Sequence, residues 1–172
     1  MKNSKKIAVS GIFCALSVIA LYLAGILPSG KLALFCLAAC FMAVIVLECG
    51  VKHALAGFAA AGAVSAILVP NKLIVLPFVL FFGYYPVLKL LIERQDNLKR
   101  EWLAKLLLFL AVSALLVGAV LLFFEEVAFP VPPLAVAGIG VVVLAIYDVA
   151  LSLFIQFYKE RISRLIRKGD RT

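Results

Sequence analysis

From Ile7 to Tyr158 the chain is apolar nearly throughout, and the polar breaks inside that stretch are short. Six apolar runs result: Ile7–Leu27, Leu32–Leu47, His53–Val69, Leu73–Ile92, Trp102–Phe124 and Leu134–Tyr158. About 20 helical residues cross ~30 Å of hydrocarbon, so each run is close to one span. The breaks fall at Pro28 to Lys31, at Glu48 to Lys52 around Gly50, and at Pro70 to Lys72, with longer ones at Glu93–Glu101 and Glu125–Pro133. In lipid every backbone amide must be satisfied inside the protein, because an unpaired one costs several kcal/mol, and this demands helices or a closed barrel. The period-2 alternation of a barrel strand is absent. The sequence therefore predicts an all-α, polytopic membrane bundle of six transmembrane helices, forming a single domain over residues 1–172.

Composition agrees. The chain is 66% hydrophobic and only 15% charged, with a mean hydropathy of +1.17, whereas soluble domains run at about half apolar and about a quarter charged. A small soluble domain has too little interior to hide so much apolar surface. The second and third runs are near the lower limit for a span, which leaves open a hairpin that does not fully cross.

The net charge of +8 is distributed as a membrane protein needs it. With the N-terminus inside, the cytoplasmic side collects Lys2, Lys5, Lys6, Lys52, Lys89, Arg94, Lys99, Arg100 and Lys105, plus six from Lys159 to Arg171. That is fifteen of the seventeen basic residues, leaving Lys31 and Lys72 outside. The bias follows the positive-inside rule and predicts both ends in the cytoplasm. It also removes the nucleic-acid reading, since no basic stretch is backed by a soluble reading module. The first run is too long for a signal-peptide core of ~7–15 residues and reads as a retained helix. From Tyr158 onward Ile162, Leu165 and Ile166 alternate with Arg161, Arg164, Arg167 and Lys168, as in a tail that lies on anionic headgroups or anchors orientation.

Several residues stand out chemically. Asp148 lies ten residues before Tyr158, hence ~15 Å above the cytoplasmic boundary. An ionisable group at that depth is costly and marks a contact or a site. Tyr84 and Tyr85, beside Gly83 and Pro86, fall at about the same depth, and Lys89 follows near the cytoplasmic edge. A Tyr or Lys89 partner for Asp148 would make a polar contact between helices four and six, serving either structure or a ligand, proton or switch. On the outer side Asn71, Lys72, Glu125 and Glu126, with Ser29 and Lys31, crown the predicted bundle, and Pro130, Pro132 and Pro133 stiffen the last outer loop.

Small residues form rows. The first helix has Ala8, Gly11 and Ala15, and the third has Gly57, Ala61 and Ser65 with Gly62 and Ala66 beside them. Such rows let backbones approach closely, either within the bundle or against a partner. Cys14, Cys36, Cys40 and Cys49 lie in or at the ends of apolar runs and read as small hydrophobes. Glu48, Cys49 and His53 cluster at one turn, but without an orienting third group or oxyanion device they do not make a nucleophile. No phosphate loop, metal motif or cofactor motif is legible, so no enzyme, metal or cofactor is expected.

The segment from Lys5 to Leu16, KKIAVSGIFCAL, resembles the start of S components, the substrate-binding membrane subunits of energy-coupling factor (ECF) transporters. The chain length, the six spans and the cytoplasmic ends fit that family as well. The resemblance implies that Ala8, Gly11 and Ala15 dock a transmembrane coupling subunit, which is driven by separate ATPases. It also implies a small-molecule ligand in the outer half, under the loops joining helices one–two, three–four and five–six. The alternative reading is a non-transporting scaffold or accessory protein of the same fold in envelope or lipid-related assembly. A stand-alone carrier using Asp148 for proton coupling is a third class. Six short helices leave it little room for an alternating pathway.

Overall fold

The computed structural model describes residues 3–93, 98–123 and 133–162, with side chains for 3–93, 100–118 and 135–161. It is helical, with no strand among the described residues. The helices are α1 (Asn3–Ile26), α2 (Lys31–Cys49), α3 (Val51–Leu68), α4 (Tyr85–Glu93), α5 (Leu98–Phe123) and α6 (Pro133–Phe157). With the irregular turns that precede α4 counted in, six segments among the described residues are long and apolar enough to cross a membrane.

Burial confirms which solvent the chain is made for. Large apolar side chains such as Ile7, Ile12, Ile67, Trp102, Ile146 and Leu153 are exposed, whereas Lys89, Lys105, Ser17 and Ser113 are buried. A protein with greasy exteriors and charged interiors is matched to lipid, where apolar surface needs no cover and charges must find partners. This is an integral membrane protein.

Local chemistry sets the helix ends. α1 stops at Ile26, just short of Leu27-Pro28, and α3 stops at Leu68, where Val69 turns extended (φ −75°, ψ 123°) before Pro70. Proline disfavours the helical region for the residue ahead of it. Between α2 and α3 there is one residue, Gly50, with φ +90°. Its N–H donates to the Ile45 and Val46 carbonyls at 3.2 and 3.1 Å, closing α2 at a positive φ that suits glycine. α2 and α3 have 19 and 18 residues, or ~28 and ~27 Å at 1.5 Å per residue. Both are close to the hydrocarbon thickness.

The chain divides into two compact units, Met1–Lys89 with Ala150–Thr172, and Leu90–Val149. In the first, α1, α2 and α3 pack on one another through small and weakly polar groups. The Ser17 hydroxyl donates to the Phe13 and Ala38 carbonyls at 3.0 and 3.2 Å, and the Cys14 thiol reaches the Gly57 carbonyl at 3.5 Å. Ala54, Gly57, Ala61 and Ser65 are all buried, and a methyl on Gly57 would stand 3.3 Å from Ile45 Cδ1. The small row of α3 is therefore internal packing. At one end of this unit the Cys49 thiol donates to the Lys6 carbonyl at 3.3 Å, and the Tyr158 hydroxyl to Glu48 Oε1 at 3.1 Å. The start of α1, the end of α2 and the end of α6 thus share one end. At the other end, Gly25 faces Val69.

The fourth span departs from the expected single helix over Leu73–Ile92. It opens with a 3-10 turn at Lys72–Ile74, widens into a π turn at Phe78–Phe82, and becomes α-helical only from Tyr85. The defining bond of the wide turn runs from Gly83 N–H to the Phe78 carbonyl, five residues back, at 2.8 Å. Pro86 brings no N–H to the carbonyls preceding it, so the ladder is interrupted just there.

Candidate functional site: a charge hub on α5

In the unit Leu90–Val149, one ammonium collects three carboxylates. Lys105 Nζ on α5 lies 2.8 Å from Glu101 Oε1, one helical turn earlier, and 2.9 Å from Glu93 Oε1 at the end of α4. Asp148 Oδ2 on α6 is 3.2 Å away. The Lys105 side chain is 9% exposed and that of Asp148 15%, while Glu93 keeps 38%. The hub therefore runs from a wet carboxylate inward to a deep one. The Glu101–Lys105 pair is an i,i+4 match in the favourable direction, acid first. Isolated, Asp148 would be strongly disfavoured in lipid, and Lys105 supplies the opposite charge that makes it tolerable.

The same unit carries a close crossing of α5 and α6. The Ser113 hydroxyl donates to the Ala137 carbonyl at 2.8 Å, and Gly140 lies opposite it with no room for a side chain. A hydroxyl of this kind satisfies itself on a neighbouring backbone and joins two helices where lipid gives no hydrophobic drive.

The other residues singled out from sequence are placed as follows. Tyr84 donates its hydroxyl to the Leu80 carbonyl in its own π turn, and Tyr85 stacks on Phe81 at 4.5 Å between ring centroids. Both belong to an aromatic cluster with Phe35, Phe58, Phe78 and Phe82. Lys89, expected near the cytoplasmic edge, is buried at 1% exposure. Asn71 Oδ1 accepts from the Leu73 N–H at 3.1 Å and starts the 3-10 turn. Lys72 Nζ donates to the Ile67 and Val69 carbonyls, each at 3.2 Å, capping the end of α3. Glu125 and Glu126, the proline-rich loop ahead of α6, and the tail beyond Ile162 lie outside the described residues.

On α1, Ala8, Gly11 and Ala15 are all exposed, and nothing approaches the position of a Gly11 side chain within 4 Å. At the turn of Glu48, Cys49 and His53, Glu48 accepts a hydrogen bond from Tyr158, and the Cys49 thiol donates one to the Lys6 carbonyl. All four cysteines are free thiols. No group of three metal-ligating side chains occurs among the described residues.

Sequence reasoning singled out Asp148 but did not name Lys105 as a partner for it. Lys105 reads from sequence as one more cytoplasmic charge, although the Glu101–Lys105 spacing is a visible signal that its ammonium turns along the helix. No protein-family model, curated protein or solved structure matches this chain.

Proposed function

We propose that the protein is the substrate-binding membrane subunit of an ECF-type small-molecule importer, resident in a bacterial cytoplasmic membrane with both ends inside. The observation that carries this reading is the contrast between two rows of small residues. The row on α3 is consumed by packing, whereas Ala8, Gly11 and Ala15 on α1 face outward. Small residues on a lipid-facing helix gain little from lipid, but they let a partner helix come close. The likeness of the segment around this row to S components gives the partner its class, a membrane coupling subunit. The gathering of the α1 start and the α6 end at one end of their unit supports a shared side for the termini. The chain performs no chemistry of its own in this reading, and separate ATPases supply the energy.

Purification in mild detergent, with and without Gly11→Trp, tests this. Recovery of a coupling subunit and a pair of ATPases with the natural chain, and their loss with Gly11→Trp, is the expected result. Recovery of the chain alone, or with envelope-assembly proteins insensitive to Gly11→Trp, overturns it. The scaffold reading draws on a separate observation: Asn71 and Lys72, two of the polar residues expected near a ligand, are engaged in capping turns.

A further inference from the structure

Three separate stretches of the unit Met1–Lys89 with Ala150–Thr172 meet at the end where α1 begins, and two hydrogen bonds hold them there. The Cys49 thiol donates to the Lys6 carbonyl at 3.3 Å, joining the start of α1 to the α2–α3 turn. The Tyr158 hydroxyl donates to Glu48 Oε1 at 3.1 Å, joining the end of α6 to the same turn. Each contact has a lysine beside it. Lys6 is itself one of the bonded residues, Lys52 lies just past Cys49 and Gly50, and Lys159 follows Tyr158 directly.

Lys52 and Lys159 are exposed, as are Lys5 and Arg161, and Lys6 is half-buried. None of Lys6, Lys52, Lys159 and Arg161 has a carboxylate within ion-pair distance among the described residues. The described acids at this end are Glu48, which is engaged by Tyr158, and Glu160, which is exposed. The fold thus gathers like charges that are distant in sequence, and their mutual repulsion falls when an anion joins them.

The surroundings choose the anion. Just inward of each lysine stands an exposed apolar side chain: Ile7 after Lys6, Leu55 after Lys52 and Phe157 ahead of Lys159. Cations at the helix ends with apolar surface directly beneath them match a phospholipid, whose phosphate leads into its acyl chains. A soluble phosphate compound would gain nothing from the apolar side chains.

We propose that this end of the unit binds the phosphate of an anionic phospholipid, gripped by Lys6, Lys52 and Lys159 and held in shape by the Tyr158–Glu48 hydrogen bond. That bond keeps Lys159 at the turn, so the site depends on placement as well as on charge. The inference is independent of the importer reading and does not use Ala8, Gly11 or Ala15.

The experiment places the protein in phosphatidylcholine vesicles with a trace of spin-labelled phosphatidylglycerol or, separately, spin-labelled phosphatidylcholine. Electron paramagnetic resonance reads the share of each label immobilised on the protein. The natural chain should favour the phosphatidylglycerol label several-fold. Lys6→Gln, Lys52→Gln and Lys159→Gln combined should bring that preference close to parity, whereas Lys31→Gln, Lys99→Gln and Arg100→Gln combined should leave most of it. Tyr158→Phe changes no charge at neutral pH and should also lower it. If Tyr158→Phe does not insert, Glu48→Ala breaks the same bond, and the preference should fall although a negative charge is lost. No preference in the natural chain, equal loss in the two triple variants, or full preference after the bond is broken overturns the proposal. Release of the label by soluble glycerol phosphate would assign the site to a soluble ligand and overturn it as well.

Discussion

The Lys105 ammonium on α5 lies 3.2 Å from the Asp148 carboxylate on α6, so two spans share an ion pair well inside the apolar part of the chain. With Glu93 and Glu101 on the same nitrogen, the loss of Lys105 takes one shared cation from three carboxylates. Lys105→Met should therefore lower stability in detergent by on the order of 3 kcal/mol, the scale for breaking a buried pair from one side. Asp148→Asn keeps an acceptor and removes one acid from the hub, and its cost should be smaller. Thermal unfolding in one detergent checks the order. Equal stability of Lys105→Met and the natural chain would sink the idea.

A second expectation concerns the α5–α6 crossing. Gly140→Ala puts a methyl against the Ser113 hydroxyl and should destabilise by about 1–3 kcal/mol through overpacking. Ser113→Ala removes the colliding oxygen at the cost of one hydrogen bond, about 1 kcal/mol. The double variant should then be no less stable than Gly140→Ala alone. Additive losses in a double-mutant cycle would show that the two residues do not meet.

Tyr158 gives its hydroxyl to the Glu48 carboxylate and ties the end of α6 to the end of α2. Tyr158→Phe should cost about 1.5–3 kcal/mol, the range for a bond to a charged group. Glu48→Gln keeps the acceptor and should cost less. Proteolysis of the protein in vesicles, followed at the α6 end, reads the difference. Identical cleavage of Tyr158→Phe and the natural chain would count against the tie.

The two small-residue rows predict opposite phenotypes. Gly57→Leu drives a side chain into Ile45, where even a methyl would be at 3.3 Å, and should impair folding by several kcal/mol. Gly11→Leu meets open space and should leave the unfolding midpoint within a degree or two of the natural chain. Under the importer proposal it should nonetheless abolish association with the coupling subunit. Size-exclusion profiles and co-purification separate the two effects, and a misfolded Gly11→Leu protein would refute the placement of that face.

The spans were legible because hydrocarbon thickness and backbone hydrogen bonding leave a sequence few choices. Leu32–Leu47 and His53–Val69 differ from α2 and α3 by only a few residues. The fourth span was not legible in its interior. Gly83 and Pro86 announce a break, but the wide turn packs against Phe58, which lies on another helix. Asp148 is conspicuous from its depth alone, whereas the role of Lys105 is not: it sits within reach of the interface, and only the fold turns it inward. The roles of Asn71 and Lys72 also depend on geometry, because a lysine near a helix end caps carbonyls or meets a ligand according to where those carbonyls point.

The single glycine between α2 and α3 bears on biogenesis. With no loop between them, α2 and α3 meet end to end at Gly50, and the polar residues of the turn, Glu48 and Lys52, lie in the helices themselves. Two spans joined this tightly are expected to enter the bilayer together, as a helical hairpin, and a stepwise insertion intermediate with α2 alone in the membrane would contradict this. A side chain at Gly50, strained at φ +90°, therefore threatens membrane integration itself, at a stage before any of the packing described above exists.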